Sequence, residues 1–141
     1  MRSQDFKLMA GVCVALVAIG FLARHPWRIS QIKWAGDLNA ALVESRLTNH
    51  PVLIDFYSPG CAPCNQMDSE TFSDSEVAQM MKLFVPVKIN IDKYPALANH
   101  YKVSAIPQIS ILNSNGSQVG EALGFQLPRD FAGFLSRFKS S

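Results

Sequence analysis

Cys61 and Cys64 are the residues of this chain whose type and spacing suit them to chemistry. Ala62 and Pro63 separate the two thiols, so on a helix they lie one turn apart, within disulfide reach. They follow the apolar run 51–57 through the loop Ser58-Pro59-Gly60, and a helix-compatible stretch comes next. That order reads as a strand, a tight turn, and a helix whose first turn carries the pair. A helix N-terminus offers free N–H groups and the positive end of the helix dipole, which favour a thiolate. The thiolate is the reactive form, and such placement lowers a cysteine pKa from about 8.5 into the range of roughly 3.5–7.5. The chemistry implied is reversible dithiol–disulfide exchange. Two other readings stand beside it. A C-x-x-C pair is half of a tetrahedral zinc site, or it is a structural bridge with no turnover. Zinc lacks the remaining ligands: the third cysteine, Cys13, sits in an apolar N-terminal stretch, and His25, His50 and His100 are scattered. No metal and no cofactor is expected, and there is no glycine-rich phosphate-binding fingerprint.

The elements that must position this pair can be read around it. The run 52–57 is nearly all apolar, as befits a strand covered on both faces. Asp55 breaks the run, and an acid there is costly unless it is used or satisfied. Upstream, residues 29–34 suit a short first strand. Asp37 caps a helix with Leu38, Ala41, Leu42 and Val43 on its apolar face, ended by Thr48-Asn49-His50-Pro51. Downstream of Cys64 a helix continues to about Glu70, with an interruption at Thr71-Phe72-Ser73. Ser73 and Glu76 then read as a capping box opening a second helical piece that runs through Leu83. Val77, Met80, Met81 and Phe84 give that piece its apolar spacing. A strand over 84–91, a short helix over 95–101 begun by Pro95, a strand over 108–112, a turn at 113–116 and a returning strand over 117–123 follow. A last helix opens near Pro128, with Phe131, Phe134, Leu135 and Phe138 as a core-facing stripe. The fold class is α/β: a central mixed β-sheet flanked by helices.

The chain has 141 residues, 48% of them apolar, and a net charge of +2, enough for one packed domain plus an appendage. Nothing in that balance suits nucleic acid. The appendage is residues 1–28. Residues 8–23 carry no charge, while Arg2 and Lys7 precede them and Arg24 and Arg28 follow. Sixteen helical residues would span about 24 Å, a little short of a bilayer core, and flanking arginines can snorkel to close the gap. The expectation is an N-terminal transmembrane anchor followed by a domain over 29–141. A cleaved signal peptide is the alternative, weakened by the lack of a good small-x-small cleavage site.

These residues together resemble a known family. From about residue 29 to 138 the chain resembles thioredoxin. The matching signals are Val52-Leu53-Ile54-Asp55-Phe56-Tyr57 before Cys61-Ala62-Pro63-Cys64, Lys88-Ile89-Asn90-Ile91-Asp92 with Pro95, Ile106-Pro107 before a strand, Gly116 and Gly124. The segment 70–77 is similar to the C-terminal thioredoxin-like domain of transmembrane thiol reductases that export electrons to the bacterial periplasm. The resemblance implies a thiol–disulfide oxidoreductase acting on protein disulfides, with oxidase or isomerase activity and a non-catalytic assembly module as alternatives. It implies Cys61 as the attacking thiol, Cys64 as the buried resolving thiol, and a Cys61–Cys64 disulfide in the oxidised form. It implies Asp55 as a buried acid exchanging a proton with Cys64, with Lys88 as its charge partner. Pro107 would be cis, leaving the Ile106 backbone free for an extended substrate, with Gly60 and Pro63 completing the contact surface. A membrane thiol carrier would supply electrons. The location implied is the bacterial inner membrane, single-pass and periplasm-facing, or the periplasm after signal cleavage. One departure is Gly60, where thioredoxin typically has tryptophan.

Overall fold

A computed structural model describes residues 32–139. The anchor expected over 1–28 lies outside them, as do residues 29–31, half of the expected first strand. Among the described residues no helix is long and apolar enough to cross a membrane. Residues 32–34, the described part of that strand, are not in a strand; an isolated parallel bridge joins the next residue, Ala35, to Val87.

Four strands form one sheet: β1 (Val52–Tyr57), β2 (Val85–Asn90), β3 (Gln108–Leu112) and β4 (Gln118–Leu123), in the order β2-β1-β3-β4. β1 runs parallel to β2 and antiparallel to β3, and β3 runs antiparallel to β4. The sheet is therefore mixed, with β1 at its centre. Side chains of β1 alternate between its faces. Val52, Ile54 and Phe56 pack with Leu38, Ala41 and the β2 residues Val85, Val87 and Ile89. Leu53 packs on the other face with Met67, Phe72, Val77, Phe131 and Leu135. Phe56, Phe72 and Phe131 are fully buried, each worth about 1.5–3 kcal/mol of apolar transfer.

Helix α1 (Leu38–Thr48) is capped by Asp37, whose carboxylate accepts from the Ala40 N–H at 3.0 Å. Asn49 ends it in the left-handed region, φ 59°. Its buried residues are Leu38, Ala41 and Ser45; Val43, expected inside, is 50% exposed. At 100° per residue the inner stripe 38–41–42–45 leaves position 43 on the solvent side. Ser45 takes the interior place because its hydroxyl can donate to the His50 carbonyl.

The helix after the motif differs from expectation in kind. α2 (Ala62–Gln66) passes directly into a π-helical turn, Met67–Thr71, in which the Phe72 N–H donates to the Met67 carbonyl at 2.9 Å. Met67 and Thr71, four residues apart, both face the interior. α3 (Ser75–Met81) is capped by Asp74, whose Oδ1 accepts from the Glu76 and Val77 N–H groups at 2.9 and 3.2 Å, not by a Ser73–Glu76 box. A carboxylate one residue closer reaches the free N–H groups without help from a distant glutamate. The helix stops two residues short of Leu83, which is 40% exposed.

α4 (Pro95–His100) and α5 (Pro128–Leu135) both begin with proline, where a missing N–H costs nothing. Phe131, Phe134 and Leu135 of α5 are buried, and Phe138 packs beyond its end, so the aromatic stripe is core as expected. Gly120 of β4 exists to admit Phe138: a Cβ there would come within 2.3 Å of the ring. In the β3–β4 turn, Asn113 Oδ1 accepts from the Asn115 and Ser117 N–H groups, and Gly116 takes φ +84°.

Candidate active site

β1 delivers the motif. Past Tyr57 the chain turns through Ser58, whose hydroxyl donates to Asp92 at 2.6 Å, fixing the loop beside the end of β2. The Cys61 N–H donates back to the Ser58 carbonyl at 3.1 Å. Cys61 is then the N-cap of α2, and its Sγ accepts from the Cys64 N–H at 3.2 Å. A sulfur in that position is held where free helix N–H groups and the dipole stabilise negative charge. Pro63 gives up no needed hydrogen bond, because first-turn N–H groups have no helical partner.

The two sulfurs are joined: Cys61 and Cys64 form a disulfide with Cα atoms 5.3 Å apart. Their surroundings are unequal. Cys64 is 4% exposed, whereas Cys61 is half-buried, with Gly60, Ala62 and Pro63 exposed around it. An incoming disulfide can therefore reach Cys61 and not Cys64. Cavities of 240 and 610 Å³ lie elsewhere, and neither is lined by Cys61 or Cys64. Among the described residues no group of three or more His, Cys, Asp or Glu side chains gathers to hold a metal ion.

On the sheet face beneath this helix lies Asp55, 2% exposed. Burial raises its carboxyl pKa from 3.8 to about 6, and the nearby Lys88 ammonium limits the rise. Desolvation wins because Asp55 Oδ1 has no hydrogen-bond partner. Asp55 and Lys88 are register partners on β1 and β2, so both point to the same face, and Lys88 Nζ stands 3.3 Å from Asp55 Oδ2. The same ammonium also bonds Asp68 Oδ1 in the π-helical turn. Three rings surround it, with centroids at 5.1 Å (Trp34), 5.0 Å (Tyr57) and 5.5 Å (Phe72). Lys88 thus ties the buried strand acid to the cysteine-bearing helical segment, within rings that attract its charge.

Ile106–Pro107 is a cis peptide bond. Antiparallel pairing of Phe56 with Gln108 sets the start of β3 beside the end of β1, so Pro107 and the motif loop leave the same edge of the sheet. Pro107 is buried and Ile106 half-buried, and the Pro107 carbonyl accepts from the Gly124 N–H at 2.8 Å. Of the residues singled out from the sequence, Gly60 and Pro63 flank Cys61, Asp55 and Lys88 pair on one face of the sheet, and Ile106 and Pro107 lie at the end of the sheet from which the motif loop leaves. Asp68, Trp34 and Phe72 were not singled out. Asp68 had a readable signal: it follows Cys64 by four, on the same helical face. The two aromatics had none, because only the tertiary fold brings them to Lys88.

A model of the thioredoxin-like domain matches residues 38–139. The chain belongs to the thioredoxin-like family. Within that family it is 30% identical over 112 residues to the thiol:disulfide interchange protein DsbD of Escherichia coli (strain K12), an alignment covering 75% of this chain and 20% of that protein. The chain thus spans about a fifth of the length of the curated relatives it matches. Among solved structures, the reduced C-terminal domain of Neisseria meningitidis DsbD superposes with a TM-score of 0.64 at 25% identity, covering 72% of this chain and 93% of that one. A thioredoxin from Thermus thermophilus superposes with a TM-score of 0.68 at 25% identity, covering 76% and 86%. The thioredoxin-like fold, mixed sheet and flanking helices alike, stands as expected. Where a thioredoxin typically sets tryptophan before its first cysteine, this member of the family has the exposed Gly60.

Proposed function

We propose that the chain is a thiol–disulfide oxidoreductase that reduces protein disulfides through Cys61 and Cys64. The observation that carries this reading is the asymmetry of the pair: one sulfur accessible at a helix N-cap, its partner sealed one turn later. In the reduced protein, the Cys61 thiolate attacks one sulfur of the substrate disulfide. A Cys61–substrate bond forms, the substrate S–S bond breaks, and the other substrate sulfur leaves with the electron pair, taking up a proton. Cys64 then loses its proton, attacks the Cys61 sulfur, and forms the internal disulfide as the second substrate thiolate departs. Asp55 is the group for that proton. With a pKa near 6 it is ionised at neutral pH, yet it takes up a proton far more readily than a surface carboxylate. Lys88 offsets the buried charge and Asp68 shares Lys88. The Ile106 backbone beside Pro107, with Gly60 and Pro63, receives the substrate chain.

Each turnover leaves the protein oxidised, so an electron donor must return two electrons; a membrane thiol carrier fits this need. The uncharged stretch 8–23 supports attachment to the bacterial inner membrane by residues 1–28, with the domain facing the periplasm. The deciding experiment replaces Cys61 with serine and assays reduction of a protein disulfide at neutral pH with dithiothreitol as electron source. Turnover should vanish above background; undiminished turnover removes the assignment.

A further inference from the structure

The helical segment carrying the cysteines and the loop carrying Pro107 are far apart in sequence, and a run of hydrogen bonds links them. Thr71 closes the π-helical turn and is fully buried. Its Oγ1 donates to the carbonyl of Gln126, 55 residues away, at 2.5 Å. Gln126 Nε2 in turn donates to the carbonyls of Leu123 and Gly124 at 3.0 and 3.4 Å. Gly124, at φ +74°, donates its N–H to the Pro107 carbonyl at 2.8 Å. A threonine hydroxyl in a helix ordinarily bonds the carbonyl one turn back on its own helix. Here the hydroxyl reaches across to the chain segment that enters α5. Gln126 also does two things at once: its backbone receives the helix side of the link, and its side chain braces the corner leading back to Pro107.

We infer that Thr71 and Gln126 are positioning residues that hold the cysteine helix at a fixed separation from the backbone of residues 106–107 and 123–124, and so set affinity for the extended peptide flanking a substrate disulfide. The inference rests on the disulfide-exchange reading given above. A bound substrate must meet two anchor points at once, the Cys61 sulfur and the Ile106 backbone. Exchange between sulfurs needs the reacting atoms brought to about 3–3.5 Å in line, so a change in the spacing of the anchors is paid in binding. Neither residue belongs to the sulfur chemistry, which runs through Cys61 and Cys64 with Asp55 taking the proton. Small disulfides that engage Cys61 without lying along the 106–107 backbone are indifferent to the link.

The test uses the full chain, reduced with dithiothreitol and then desalted, and follows its single-turnover oxidation against substrate concentration, half-saturation read as KM and limiting rate as kcat, by two substrates: an extended peptide with a disulfide, and 5,5′-dithiobis(2-nitrobenzoate). Thr71→Val keeps the shape of the side chain and removes the donor. It should raise KM for the peptide about 3- to 10-fold, the scale of one lost buried hydrogen bond, with kcat and the small-disulfide rate unchanged. Thr71→Ser restores the hydroxyl and should restore KM. Gln126→Ala acts at a half-buried loop position, folds even if the core variant does not, and should raise KM in the same direction. Unchanged peptide KM in Thr71→Val and Gln126→Ala overturns the inference, as does an equal loss on both substrates, which signals general damage. Should the unsubstituted chain reduce neither substrate, disulfide exchange itself has failed, and the positioning role goes with it.

Discussion

Replacing Asp55 with asparagine should change the stability of the oxidised protein by an amount that rises with pH. Asp55 is sealed from solvent, with Oδ1 unpartnered, and its pKa stands at about 6 against 3.8 for the free side chain. At about 1.4 kcal/mol per pH unit, that difference corresponds to about 3 kcal/mol. The sign follows from proton binding. Between about pH 4 and 6 the folded protein holds a proton on Asp55 that the unfolded chain has released. The favourable contribution of the protonated carboxyl is fully present below pH 3.8 and is lost as pH rises through about 6. Above that, the native state carries a buried charge the unfolded chain hydrates freely. Asparagine never ionises, so the stability of Asp55→Asn relative to the parent should rise by about 3 kcal/mol between low pH and pH 7.5. In urea that is a midpoint shift of about 1–3 M at unchanged slope. Around pH 4 the two proteins should differ only by a pH-independent offset, since both then bury a neutral group. Urea unfolding of the oxidised forms at half-unit pH steps measures the difference directly, and other carboxylates cancel between the two. A difference that stays flat from pH 4 to 7.5 would refute the buried-charge argument, whatever its size.

Further outcomes follow from the same geometry. Lys88→Met removes the ammonium beside Asp55, so the pH at which the Asp55→Asn difference levels off should move upward; no movement would mean that Lys88 does not act on Asp55. Asp55→Asn should also slow the release of substrate from Cys61 at neutral pH while leaving the first attack unchanged, a split that rapid-quench analysis of the two steps resolves. Phe131→Ala should cost about 3–5 kcal/mol in urea unfolding, because the ring is fully buried between Phe72 and Phe134. Asp74→Ala should cost about 1 kcal/mol through loss of the α3 cap, measured the same way.

The mixed α/β architecture was legible because its signals are local. The apolar run 52–57, the glycine at 116 and the prolines at 95 and 128 each dictate an element without reference to the rest of the chain. The cysteine pair was legible for the same reason, since three residues of spacing is itself the geometry. What escaped depends on direction or on distant contacts. Val43 looked apolar and fell outside because helical phase, not composition, decides the inner face. Nothing local in the sequence marks the π-helical turn, and Thr71 finds Gln126 only after the chain has folded back. The site divides along the same line. Asp55 and Lys88 could be named in advance, but the sharing of Lys88 with Asp68 inside a ring of Trp34, Tyr57 and Phe72 joins parts of the chain that no window covers.

The central claim is that Cys61 forms the bond to substrate and Cys64 resolves it. Incubating Cys64→Ser with a disulfide-bonded protein, followed by non-reducing mass spectrometry and peptide mapping, tests this most directly. A stable mixed disulfide on Cys61 is the predicted product, with none on Cys64 in the matching Cys61→Ser variant. An adduct that forms on Cys64 as readily as on Cys61, or on neither, would contradict the account.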